Sequence, residues 1–130
     1  MRKIKIENAV FCEGVRYEVG GKHTLLGVSA PELDIQQYPG VVSVAIWMGL
    51  APAEAGDYEA DFRVRDSDRT DLIKARMNFS LPKTAHGSLV VGPMPLQVNK
   101  PGSFSFEWNL GGGKWEKIIV LHINAEGGKK

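Results

Sequence analysis

The chain reads as an all-β protein, an antiparallel β-sandwich of Ig-like outline with about seven to nine strands. Three observations predict this. Apolar residues recur with a period of two over several segments, the mark of half-buried strands. Fifteen Gly and seven Pro in 130 residues fall mostly between those segments, where turn chemistry belongs. And 43% hydrophobic with 24% charged residues matches a globular chain able to bury one core, so a single domain over 1–125 is expected, with 126–130 as a disordered tail.

The clearest strand is Asp57–Asp66. Its inward row is Tyr58, Ala60, Phe62 and Val64; its outward row is Asp57, Glu59, Asp61, Arg63 and Arg65. Ser103–Leu110 repeats the design, with Phe104, Phe106, Trp108 and Leu110 inside. Val41–Leu50 buries Val42, Val44, Ile46, Met48 and Leu50 against a row of small residues, Ser43, Ala45 and Gly49. Slipping any of these by one residue would turn its apolar row to water, so register is strongly specified. Ile4–Glu18, Lys22–Ala30, Ser88–Val98 and Trp115–Ile123 read as further strands. In the last, Trp115, Ile119, Leu121 and Ile123 share a face, while Ile118 and Val120 make the other face apolar too, as in a central strand. Leu72–Leu81 fits either a short helix capped by Asp71 or a strand. The strand accounts for more of its apolar residues and makes 57–81 a hairpin, with Asp61 set against Lys74 and Glu59 against Arg76.

The run Ala9-Val10-Phe11-Cys12-Glu13-Gly14, the Gly20-Gly21-Lys22 turn and the strand Leu25-Leu26-Gly27-Val28 resemble a bacterial family of unknown function, DUF6941. The resemblance continues through Ala55–Asp66 and through Pro101-Gly102-Ser103-Phe104-Ser105-Phe106-Glu107-Trp108. It implies a compact β-sandwich and carries no catalytic residue across. Gly56-Asp57-Tyr58 and Gly102-Ser103-Phe104 also open alike, each a Gly, a polar residue and an aromatic before clean alternation; this fits either a faint internal repeat of two related hairpins or, the more general account, the way sandwich strands enter from a turn.

Charge and motifs exclude more than they assign. Sixteen basic against fifteen acidic side chains leave +1, which lacks the basic field of a nucleic-acid binder. No run approaches the roughly 18 apolar residues of a membrane helix, and the start is not a signal peptide. The expected location is cytoplasmic, in keeping with one cysteine, Cys12, which sits in an apolar strand as an inert thiol. Cys12, His23, His86 and His122 lack zinc-ligand spacing, so no metal or other cofactor is expected. Asp66-Ser67-Asp68-Arg69-Thr70-Asp71 has Asp71 where a calcium loop needs Gly and Met77 where it needs the bidentate Glu. Gly111-Gly112-Gly113-Lys114 is followed by Trp115 and a strand, unlike a phosphate loop. No Gly-x-Ser-x-Gly elbow is present, and Asp57, Glu59 and Asp61 form a solvated face.

Aromatics outside the core rows remain. Trp47 points away from Val44, Ile46 and Met48; Tyr17, Tyr38 and Trp115 lie near turns. These four are the candidate binding residues, with Pro31–Gly40 available to cover Trp47. The expected function is a non-enzymatic binding module, for an unknown protein partner or for self-association through open sheet edges. The alternative is a site for a small ligand, a sugar or nucleotide, built from Trp47, Tyr38 and loop residues; a sandwich-fold hydrolase comes third.

Overall fold

The computed structural model describes residues 4–20, 22–29, 32–35, 38–81, 86–111 and 113–125. The predicted tail 126–130 lies outside the described residues. Ten strands and no helix are found among the described residues: β1 (Ile6–Cys12), β2 (Gly14–Tyr17), β3 (His23–Leu26), β4 (Glu32–Ile35), β5 (Gly40–Leu50), β6 (Gly56–Arg65), β7 (Asp71–Leu81), β8 (Gly87–Val98), β9 (Gly102–Asn109) and β10 (Glu116–Ala125). Eight of them form two facing sheets, a three-stranded one in the order β1-β5-β8 and a five-stranded one in the order β4-β10-β9-β6-β7. The remaining pair, β2 and β3, is a separate two-stranded ribbon. The architecture is the expected β-sandwich.

The core is the meeting of the alternating rows. Tyr58, Ala60, Phe62 and Val64 from β6 and Phe104, Phe106 and Trp108 from β9 are all buried, facing Val44, Ile46, Met48 and Leu50 from β5. Phe106 packs edge-on against Phe11 with ring centroids 5.1 Å apart, so β1 is locked across to β9. Hydrophobic burial of this kind, at roughly 25 cal/mol per Å² of apolar surface, is the main favourable term in folding.

Five expectations are refined. Ile4–Glu18 is two strands, because the chain leaves the three-stranded sheet at Glu13. The 57–81 hairpin forms as a strand pair, but its register is two residues from the expected one, with Asp61 opposite Arg76 and Glu59 opposite Asn78. A shift of two keeps every side chain on its own face, so the apolar pattern did not discriminate between the registers. One pair is parallel, β4 with β10; strands so distant in sequence have no hairpin to impose the opposite direction. Glu107 and Asn109, on the outward row of β9, are buried; Glu107 is paired with Arg63, whose guanidinium lies over Trp115. Finally, Trp115 is not on the face of Ile119: a bulge between Lys117 and Ile119 adds one residue and reverses the alternation.

A second bulge shapes β8. Val91 lies opposite Ile46 and Met94 opposite Val44, so two residues, Gly92 and Pro93, face Ala45 alone. Gly92 takes φ +96°, and a Cβ there would lie 2.8 Å from the Val44 carbonyl oxygen. Only glycine fits.

Candidate functional site

The ribbon grows out of β1. Glu13 N–H donates to Leu26 O at 2.8 Å, Ser29 N–H to Phe11 O at 3.1 Å, and Glu18 N–H to Lys22 O at 2.8 Å across the turn. Gly20 supplies the positive φ that the turn needs. At the base, Gly27 has φ +65° and lies flat against the Glu13 side chain, where a Cβ would approach to 2.7 Å. With four residues in each strand, the ribbon cannot hold its shape alone. It is braced on the outer face of the three-stranded sheet: Trp47 Nε1 donates to His23 Nδ1 at 3.4 Å, and His23 meets the Tyr17 ring edge-on at 5.0 Å. The small residues beside Trp47 give the indole room to lie under this ribbon. Ala45 and Gly49 are themselves buried, and a Cβ on Gly49 would collide with the Asn8 side chain.

This leaves an unusual surface. Tyr17 is 69% exposed and Val19 98%. Leu26 and Val28, at the base, are exposed as well. Four of the six exposed large hydrophobics among the described residues thus fall on the ribbon and its flanks.

The four aromatics singled out in the sequence therefore divide. Trp47 and Tyr17 meet through His23. Tyr38 does not join them. Its hydroxyl donates to Asn124 O at 2.8 Å, tying the entry of β5 to β10, and seven residues of extended β5 between Gly40 and Trp47 place it more than about 20 Å away. Trp47 is covered by β2–β3 rather than by 31–40, of which 32–35 form the edge strand β4. Trp115 lies on the outer face of the five-stranded sheet, with the Arg63 guanidinium stacked 3.9 Å over its ring. Sequence reading missed His23, Val19, Leu26 and Val28. Their one signal was apolar residues flanking a Gly20-Gly21 turn in strands too short to alternate clearly.

The Trp115 cluster is a charged network. Arg63 Nε donates to Glu107 Oε1 at 2.7 Å, and Ser105 Oγ donates to Glu107 Oε2 at 2.8 Å. Burial alone would raise the Glu107 carboxyl, but the Ser105 hydroxyl and the Arg63 guanidinium outweigh it and hold the group below the usual carboxylate range. Around the 57–81 hairpin, Arg76 bridges Asp61 at 3.0 Å and Glu59 at 3.5 Å, and Ser80 Oγ donates to Asp57 at 2.6 Å. Among the described residues no group of three or more His, Cys, Asp or Glu side chains is placed to hold a metal ion.

A cavity of about 370 Å³ opens between the sheets near β4, lined among others by Phe11, Cys12, Leu33, Asp34, Val42 and Ser43. Burial pushes the Cys12 thiol up from its ordinary value, which disfavours the reactive thiolate. None of the four aromatics reaches this cavity.

Fold and surface together define an all-β sandwich domain that carries a braced two-stranded ribbon with apolar side chains turned to solvent. Residues 7–124 match the family of unknown function DUF6941, and the chain belongs to that family. No curated protein matches it by sequence. Among solved structures, the C-terminal domain of wzt superposes with a TM-score of 0.52 at 14% identity, over 93% of this chain and 73% of that one. That likeness supports the β-sandwich fold. Weaker superpositions are found on β-glucosidases from Erythrobacter marinus (TM-score 0.47, 11% identity, 95% of this chain) and Listeria innocua (TM-score 0.45, 10% identity, 94% of this chain). The chain spans only 16% of each enzyme's length.

Proposed function

We propose that this chain is a non-enzymatic interaction module, Ig-like in outline and acting in the cytoplasm, that engages a protein partner through the β2–β3 ribbon. The observation that carries this reading is the concentration of exposed Tyr17, Val19, Leu26 and Val28 on the ribbon and its flanks. Large apolar side chains scattered singly over a surface need no explanation; grouped on one element, they mark a contact site. Burying one such side chain is worth about 1.5–3 kcal/mol, and the Trp47–His23 brace limits the ordering cost of binding. No helix among the described residues is long and apolar enough to cross a membrane.

The test pairs a photo-crosslinking residue at Val19 with a Tyr17→Ser/Val19→Ser variant. Expected is one host protein crosslinked by the first and not recovered by the second, with the circular dichroism and melting temperature of the variant unchanged. Recovery of the same proteins by both would overturn the reading. A second reading, a small-ligand protein for a sugar or nucleotide, is favoured by the 370 Å³ cavity, a volume in the range of ligand sites. It moves the site from Trp47 and Tyr38 to Phe11, Leu33, Asp34 and Ser43. A thermal-shift series over sugars and nucleotides is expected to show stabilisation lost in Val42→Trp; no shift with any of them removes this reading.

A further inference from the structure

The two sheets present four outer edges, and they are not alike. β4 is four residues long and carries Glu32 and Asp34. β1 is broken by a bulge between Ile6 and Asn8 and bridged at its end by Ser29. β8 contains Pro93 and Pro95, which have no N–H to donate, and the Gly92 bulge. β7 has its bulge at its start, where Ile73 and Asp71 lie opposite the adjacent Val64 and Arg65, and then runs unbroken from Ile73 to Leu81, nine residues without Gly or Pro, about 30 Å of edge. Among the described residues no strand pairs with its outer side. Natural edges are normally blunted by such devices; along Ile73–Leu81 only Lys74 and Arg76 serve in that way, and Arg76 is already paired with Asp61 and Glu59. The inward row of β7 is also poorly covered, since three strands face five: Ile73, Met77 and Phe79 are half-buried and Ala75 is exposed.

We propose that β7 pairs antiparallel with β7 of a second copy about a two-fold axis at Met77, joining two five-stranded sheets into one of ten strands. This surface is independent of the ribbon. Charge selects the register. Centring the axis one residue back sets Arg76 against the second copy's Arg76, and one further step back sets Lys74 against Arg76; like charges directly opposite are destabilising. Centred on Met77, Arg76 lies opposite Asn78, and Lys74 opposite Ser80. Within each chain Asn78 is paired with Glu59, and Ser80 with Asp57. Every cross-strand row on the outer face therefore brings a cation from one copy toward a carboxylate row of the other. On the inner face the same register places Met77 on Met77, Ala75 on Phe79 and Ile73 on Leu81, closing the half-covered apolar row. The symmetry is that of the commonest homodimers.

A single strand pair with one apolar row lies at the small end of interface sizes, so the dimer is expected in the micromolar range. Sedimentation velocity from about 5 to 500 μM is expected to show a reversible monomer–dimer equilibrium. Asn78→Arg puts Arg against Arg76 of the other copy twice per dimer, while Glu59 partners it within the monomer. The expected result is weaker association without loss of fold: a drop of about tenfold or more in dimer affinity, with the melting temperature kept at low concentration. In a Cys12→Ser background, Met77→Cys should crosslink to itself under mild oxidation and Ala75→Cys should not, its mate lying four residues away along the strand, about 13 Å. A chain monomeric throughout, or a dimer indifferent to Asn78→Arg with no Met77→Cys crosslink, overturns the proposal. Tyr17→Ser/Val19→Ser leaves this equilibrium unmoved, so failure here and failure at the ribbon are read separately.

Discussion

Glu107→Gln tests how the outer face of the five-stranded sheet is held. Glu107 and Arg63 are cross-strand partners, and their side chains are only 12% and 13% exposed. The substitution keeps the shape, removes the charge and leaves the Arg63 guanidinium part-buried against Trp115 without its anion. Losing one partner of such a pair costs about 1–3 kcal/mol, since the remaining group stays desolvated. The pH dependence follows from the carboxyl lying below its ordinary value in the folded state. The unfolded chain then binds more protons in acid, so the stabilisation is fully present above the unfolded carboxylate range, near pH 4.3. It is lost as pH falls through the folded value. Urea unfolding at neutral and acid pH should show a wild-type advantage over Glu107→Gln that shrinks as the solution is acidified. An equal gap at pH 7 and pH 3 would refute the reasoning, because the charge would then not be its source.

The remaining expectations concern the core and its thiol. Phe106→Ala removes a fully buried ring that touches both Phe11 and Phe62, and a loss of about 3–5 kcal/mol in denaturant unfolding is expected; a loss under 1 kcal/mol would mean the two sheets do not depend on that contact. Cys12, 3% exposed with its thiol pushed up by burial, should react with an aromatic disulfide reagent far more slowly when native than in urea, and equal rates would show that β1 opens freely. Gly92→Ala combines a positive φ with a backbone collision and should destabilise by more than about 1 kcal/mol; an unchanged midpoint would show that the bulge relaxes.

How much of this was legible depended on whether a residue's neighbours were set by period or by an interruption of it. Tyr58–Val64 and Phe104–Trp108 were read correctly because nothing breaks their alternation. Trp115 was read onto the wrong face because the extra residue at Lys117–Ile119 has no compositional mark, no Gly and no Pro. Trp47 was recognisable as an outlier, yet its cover was not, since the small row beside it says only that something large lies there. The ribbon was hidden for a related reason: two four-residue strands are too short for periodicity, and what braces them on the sheet includes an indole–imidazole contact across 24 residues. The hairpin register escaped because faces repeat every two residues while charges were the sole finer guide.

The place of β10 has a consequence for the order in which the molecule can be made. The last strand among the described residues is not at a margin but second in its sheet, between β4 and β9. Until the ribosome has delivered residues 116–125, β4 has no neighbour to lie against and β9 has one side bare. The five-stranded layer therefore cannot close before β10 emerges, and a nascent chain halted after β9 would present two unsatisfied strands at once. Folding dominated by such distant pairings is slow, and it leaves the incomplete chain open to mispairing until β10 arrives.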